Sequence, residues 1–110
     1  MLTGVRNWLA RRRRSQRQPL IIVGIGVPAW EAHRRLAGGW HTIAFIDENP
    51  WNHRTLVDGV AVYYPSEITS LCRRHGVRLV LFTEPESWQR LAPQLTQELT
   101  GLGVDIRLQE

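Results

Sequence analysis

The sequence predicts an α/β fold: a doubly wound, mostly parallel sheet of about five strands with helices on both faces. Two observations predict it. Short apolar runs alternate with segments of helical periodicity, and a glycine-rich turn directly follows the first run. A continuously apolar run of this length is typical of a parallel strand buried on both faces. Leu20–Val23 and Ile43–Ile46 are continuous runs of this kind. Val77–Phe82 is interrupted by Arg78, and Val104–Leu108, the final predicted strand, alternates apolar residues with Asp105 and Arg107.

The first run leads straight into the turn that opens the first helix. Gly24, Gly26 and Ala29 occupy the three small positions of a G-x-G-x-x-G/A pattern. Glycines allow a tight turn and a close approach of the backbone to a diphosphate, while the third small residue lets the helix pack on the strand. Ile25 and Val27 complete the segment whose amides would bind the anion at the helix N-terminus. The alternative is a tight turn whose glycines serve packing only.

Asp47 ends the second apolar run, about twenty residues after the glycines, where an acid commonly binds a ribose hydroxyl. A carboxylate there disfavours a 2′-phosphate, so the expected cofactor is NAD or a nucleotide sugar rather than NADP. Trp51 and Arg54 follow in a polar loop. They are candidates for stacking on a base and reaching a phosphate, the alternatives being an indole that covers the loop and a solvated guanidinium. Thr83 and Glu84 end a later strand at the same predicted sheet edge and are candidates for contact with the ligand, the alternative for Glu84 being that it only precedes the next helix.

The remaining elements follow from local signals. Val57–Tyr63 alternates around Gly59 and predicts a short extended excursion at the sheet edge. The helix after Pro65 ends at Gly76, and Pro93 is expected to kink the last helix.

Composition bounds the function. A chain of 110 residues with 43% hydrophobic content forms a single domain. It has no apolar run near the roughly 18–20 residues that span a bilayer, and its single cysteine, Cys72, agrees with a reducing compartment. We therefore expect a cytoplasmic protein. The absence of lysine excludes a Schiff base, a P-loop lysine and a Tyr-x-x-x-Lys pair, and because no catalytic constellation is found, we expect no catalysis by the chain alone.

Charge divides the chain into two parts. Residues 1–18 hold six arginines and no acid, and residues 19–110 hold eight arginines against ten acids, a net charge of −2. We assign residues 1–18 to a basic flexible tail and 19–110 to the globular domain. The tail is interpreted first as a solvated arm, second as a contact to an anionic membrane through Arg11–Arg17, and last as a nucleic-acid contact, since no recognition module follows it.

The order of these motifs resembles the Rossmann-like, CoA-binding-like domain of membrane-anchored nucleoside-diphosphate-sugar epimerases/dehydratases and related polysaccharide-biosynthesis proteins. The resemblance covers residues 18–108 and rests on Leu20–Ala29, Ile43–Pro50, Asp58–Val62 and Val77–Phe82. It implies a nucleotide-binding accessory or regulatory module whose ligand is NAD, CoA or a nucleotide sugar. Pro28 and Trp30 depart from the family pattern, and whether they block the phosphate site stays open at this point.

In that family, transmembrane helices precede the module and a catalytic segment follows it, and this sequence shows neither. The resemblance therefore implies nucleotide binding more than turnover. Two alternatives stay open: a fragment or subunit of an epimerase/dehydratase, and a ligand-free protein-interaction module. A homodimer or a partner protein is compatible with each, because five tryptophans are hard to bury in a small domain.

Overall fold

A computed structural model describes residues 17–109 and shows a six-stranded sheet with α-helices on both faces. The strands are β1 (Gln18–Val23), β2 (Trp40–Ile46), β3 (Leu56–Val57), β4 (Val60–Tyr63), β5 (Leu79–Phe82) and β6 (Asp105–Leu108). The α-helices are α1 (Val27–Leu36), α2 (Ile68–His75) and α3 (Pro85–Glu98). Most of the predicted basic tail, residues 1–16, lies outside the described residues.

The strands lie in the order β3-β4-β2-β1-β5-β6. All neighbouring pairs are parallel except β3 and β4, which are antiparallel. From β1 the chain moves outward to β2 and β4, then crosses back to place β5 on the other side of β1. The direction of winding therefore reverses between β1 and β5, and in such sheets a ligand crevice opens beyond the carboxyl ends of these strands. The doubly wound, mostly parallel fold predicted from the sequence is confirmed.

The core has one layer on each face of the sheet, because successive strand side chains point in opposite directions. Ile21 and Val23 of β1 pack with α2 and α3, whereas Leu20 and Ile22 pack with α1. Cys72 belongs to the first layer. It is 3% exposed, and burial raises the pKa of its thiol to about 11.

The sheet edge differs from the prediction. The excursion expected over Val57–Tyr63 is a hairpin of β3 and β4, which gives six strands in place of about five. Asp58 and Gly59 form its turn with φ of 50° and 78°, and positive φ at both central residues is the mark of a type I′ turn. The Asp58 carboxylate lies 2.9 Å from His33 Nε2, and His33 Nδ1 lies 2.9 Å from the Thr42 hydroxyl. These contacts connect the hairpin to α1 and β2.

Candidate functional site

A cleft of about 190 Å³ lies at the carboxyl ends of β1 and β2, beside the first turns of α3. Gly24, Gly26 and Asp47 line it together, as do Ile25 and Glu48. Its volume is below the roughly 300–1,000 Å³ of ligand pockets in general, so a bound nucleotide would extend beyond its rim. The position is the crevice that the winding of the sheet creates.

Gly24 is required by the fold itself. Its φ is +127°, and a Cβ atom at this position would lie 2.4 Å from Thr83 Oγ1. The Gly24 amide donates to the Ile46 carbonyl at 2.8 Å, and the Thr83 hydroxyl donates to the Val23 carbonyl at 2.9 Å. These two bonds join the end of β1 to the ends of β2 and β5. The predicted site residue Thr83 is thus engaged in the backbone junction, and it does not line the cleft.

Gly26 is different, because the fold tolerates a side chain there. Its φ is −76°, and the nearest atom to an added Cβ would be Pro28 Cδ at 3.7 Å, an ordinary contact. Gly26 precedes α1, whose first turn carries no acidic residue and whose start has no side-chain cap. The amides of Val27 and Ala29 lie in this first turn and have no partner within the helix. The turn can therefore present amide donors to an anion.

The side chains around this turn leave the cleft open. Ala29 is buried against the sheet, as its position in the glycine pattern predicts, whereas the Val27 side chain is exposed. Trp30 is 44% exposed, and the Arg34 guanidinium lies 5.0 Å from its ring centroid. Neither Trp30 nor Pro28 lines the cleft.

Asp47 is held in a fixed orientation at the end of β2. Its amide donates to the Tyr63 carbonyl at 3.0 Å. Its Oδ2 accepts from the Asn52 side-chain amide at 2.8 Å and from the Asn49 backbone amide at 3.2 Å. Both bonds from the described residues fall on Oδ2, which leaves the lone pairs of Oδ1 for a ligand hydroxyl.

Arg54 does not reach the cleft. Its guanidinium lies over the Tyr63 ring, 4.6 Å from the centroid, and 4.0 Å from a Glu67 carboxylate oxygen. Glu67 in turn accepts hydrogen bonds from the Tyr64 amide and from His53. Burial raises the pKa of Glu67, but these bonds and the nearby charges of His53 and Arg54 outweigh it and lower the pKa overall. Arg54 therefore contacts Tyr63 of the hairpin and Glu67, and it does not line the cleft.

The sequence reasoning missed the contribution of α3. Glu86, Ser87 and Arg90 line the cleft from the first two turns of this helix. Glu84, which the sequence did place at this sheet edge, also lines the cleft just before the helix begins. The available signal was topological, since the helix that follows the strand across the switch point faces the crevice with its first turns. Arg90 Nη1 donates to Glu48 Oε1 across the cleft. No group of His, Cys, Asp and Glu suited to a metal ion occurs within residues 17–109.

No family model and no curated protein matches this chain. Among solved structures, it is similar to UDP-D-quinovosamine 4-dehydrogenase from Vibrio fischeri, with a TM-score of 0.68 and 26% identity over 86% of this chain and 80% of that one. It is also similar to RSP, a Rex-family repressor, with a TM-score of 0.69 and 14% identity over 98% of this chain and 60% of the repressor.

RSP has also been solved with β-NADH, where the TM-score is 0.68, the identity 13% and the coverage 98% of this chain and 61% of that one. Its complex with β-NAD⁺ and operator DNA gives a TM-score of 0.65 and 15% identity over 94% of this chain and 55% of that one. These likenesses show that the chain has a Rossmann-type α/β fold. In the part of the chain that the structure describes, no helix is both long enough and apolar enough to cross a bilayer.

Proposed function

We propose that this chain binds a dinucleotide of the NAD type in the cleft at the carboxyl ends of β1 and β2. The observation that carries the proposal is that Gly24, Gly26 and Asp47 line one cleft at the switch point of the sheet. The diphosphate would bind the amides of the first turn of α1, and Asp47 Oδ1 would accept a hydrogen bond from a ribose hydroxyl. A 2′-phosphate would face this carboxylate, which favours NAD over NADP.

The likeness to a UDP-D-quinovosamine 4-dehydrogenase supports a second, finer proposal. According to this second proposal, the chain serves polysaccharide biosynthesis. It does so either as an accessory or regulatory domain or as part of a nucleoside-diphosphate-sugar epimerase/dehydratase. Its ligand is then a nucleotide sugar, whose diphosphate and ribose fit the same two groups of donors and acceptors. Both proposals use the same residues, so they are distinguished by which ligand the chain binds.

Thermal unfolding of the full chain with NAD⁺, NADH, NADP⁺, UDP and UDP-N-acetylglucosamine tests the proposal. A ligand at 100 times its dissociation constant adds about 2.7 kcal/mol to the free energy of unfolding. We expect NAD⁺ and NADH to raise the unfolding temperature more than NADP⁺ does. Stabilisation by the UDP compounds alone would support the nucleotide-sugar alternative. The absence of any shift would contradict both.

A matched pair of variants links the effect to the cleft. Asp47→Asn keeps the size of the side chain and an acceptor for Asn52 but removes the charge, and we expect it to weaken NAD⁺ binding roughly tenfold, the loss of one charge-assisted hydrogen bond. Asp105→Asn makes the same change at an exposed position on β6, outside the cleft. Titration calorimetry measures the NAD⁺ affinity of both variants. Equal affinities would show that Asp47 does not contribute to NAD⁺ binding.

A further inference from the structure

Arg90 occupies a distinctive place in the cleft. The other charged residues that line it are the acids Asp47, Glu48, Glu84 and Glu86. An anionic ligand that enters meets an excess of like charge, which the amides of α1 offset only in part. A cation inside the cleft would therefore contribute strongly to the binding of a diphosphate, because it offsets the repulsion from these acids.

The Arg90 side chain is already paired across the cleft. Its Nη1 donates to Glu48 Oε1, and the Glu48 hydrogen bond and charge together raise the pKa of Arg90. Glu48 lies in the loop after β2, and Arg90 lies on the helix after β5. Because β2 and β5 are the two neighbours of β1, the pair bridges the space beyond the carboxyl end of β1.

The pair can also exchange partners readily. The side chains of Glu48 and Arg90 are 51% and 48% exposed, so separating them leaves neither charge buried. A guanidinium binds phosphate through two parallel N–H···O bonds, and a diphosphate offers more oxygens and more charge than one carboxylate. The ligand therefore competes well for Arg90 once it is in the cleft.

We propose that Arg90 binds the diphosphate of a nucleotide in this cleft, and that Glu48 pairs with the guanidinium until the diphosphate displaces it. This inference rests on the proposed function, and it adds a binding residue and an internal competitor. The two residues then act in opposite directions. Arg90 strengthens nucleotide binding, whereas Glu48 weakens it.

Titration calorimetry with NAD⁺ on the full chain tests this opposition. Arg90→Gln should weaken binding tenfold or more, and Glu48→Gln should strengthen it several-fold because the competing charge is gone. Arg90→Lys keeps the charge without the forked donor geometry and should lie between wild type and Arg90→Gln. UDP and UDP-N-acetylglucosamine replace NAD⁺ as probes if they are the compounds that bind.

Controls come from a second exposed ion pair. Arg107 and Asp105 on β6 lie 3.3 Å apart outside the cleft, and Arg107→Gln and Asp105→Asn should leave the affinity unchanged. The double variant Glu48→Gln with Arg90→Gln separates competition from simple repulsion, since most of the gain from Glu48→Gln should disappear when Arg90 is absent. Unfolding temperatures of all variants without ligand verify that each is folded.

The outcomes separate the two proposals. If the wild type binds a nucleotide but Glu48→Gln and Arg90→Gln both weaken binding, the pair is structural and the inference is wrong. The same conclusion follows if both leave the affinity unchanged. If the wild type binds none of these nucleotides, the proposed function fails and the assignment of Arg90 fails with it.

Discussion

The two glycines of the turn after β1 look equivalent in sequence but carry different constraints. Gly24 combines a positive φ with a virtual Cβ only 2.4 Å from Thr83 Oγ1, whereas Gly26 has ordinary φ and ordinary space. The first glycine is needed by the fold, and the second is needed only if a ligand approaches the backbone closely. We therefore expect a substitution at Gly24 to lower the stability of the fold and a substitution at Gly26 to weaken ligand binding.

For Gly24→Ala we expect a loss of about 2 kcal/mol or more in the free energy of unfolding. The alanine must adopt a strained φ and displace Thr83, which weakens the hydrogen bond to the Val23 carbonyl. Urea unfolding followed by circular dichroism measures the loss. A variant as stable as the wild type would show that the turn can rearrange.

For Gly26→Ala we expect a change of about 1 kcal/mol or less, the ordinary cost of alanine at a helix N-cap. The added methyl group would, however, stand between the backbone and the diphosphate and weaken NAD⁺ binding at least tenfold. Gly38→Ala is the matched control, because a Cβ there meets nothing within 4 Å. Equal NAD⁺ affinities for the two variants would place the diphosphate elsewhere.

At the scale of elements, the start of α2 depends on one carboxylate. Glu67 accepts from the Tyr64 amide at 2.8 Å and lies 3.0 Å from His53 Nε2, and its pKa is lowered. A carboxyl group whose pKa is lower in the folded state stabilises the fold above its unfolded pKa, and this contribution disappears as pH falls through the folded pKa.

Glu67→Gln should therefore lower the free energy of unfolding at pH 7, and the deficit should shrink as pH falls below the ordinary value of 4.5. Urea titrations between pH 7 and pH 3 measure this difference. Glu31→Gln, an exposed position on α1, should show no comparable trend. A deficit at Glu67 that stays constant with pH would mean that it reflects lost packing rather than lost charge.

The elements also show how far a sequence can predict this molecule. The parallel strands, the helices and the placement of Gly24, Gly26 and Asp47 at one edge follow from periodicity and from the rule for carboxyl ends of strands. The sequence predicted an extended excursion over Val57–Tyr63 but not its division into two paired strands, because β3 and β4 are only two and four residues long. Asp58-Gly59 was the local signal that could have found it.

The sequence did not predict which residues of other elements each side chain contacts. The Arg54 guanidinium packs on the Tyr63 ring, and the Thr83 hydroxyl donates a hydrogen bond to the Val23 carbonyl. Both contacts depend on how separate elements are arranged in space. Arg90 was missed for the same reason, since its place in the cleft follows from the crossover that brings α3 beside β1. Backbone-determined parts of a site are thus easier to predict than side chains from a distant helix.

On the scale of the whole molecule, the charge is unevenly distributed. Residues 1–18 carry six arginines, and residues 19–110 carry a net charge of −2. We propose that the arginines attract the protein to anionic lipid, because each basic residue near such a surface contributes about 1 kcal/mol.

Co-sedimentation with phosphatidylserine vesicles tests this. The full chain should sediment with them at low salt and dissociate as salt screens the charges, whereas a chain without residues 1–16 should stay in the supernatant. Vesicles of neutral lipid are the control. Both chains should keep the same NAD⁺ affinity, and a loss on truncation would mean that the arginines belong to the nucleotide site.

Because Cys72 is buried, the reactivity of its thiol can be used to measure the opening of α2. A thiol that is buried and remains protonated at neutral pH reacts with a maleimide only when α2 separates from the sheet, and the chain has a single cysteine. The rate at which the intact mass rises under alkylation therefore reports how often α2 opens, with no engineered cysteine needed. Pro65, just before α2, lines the cleft, so a nucleotide that binds only the closed form should slow the reaction.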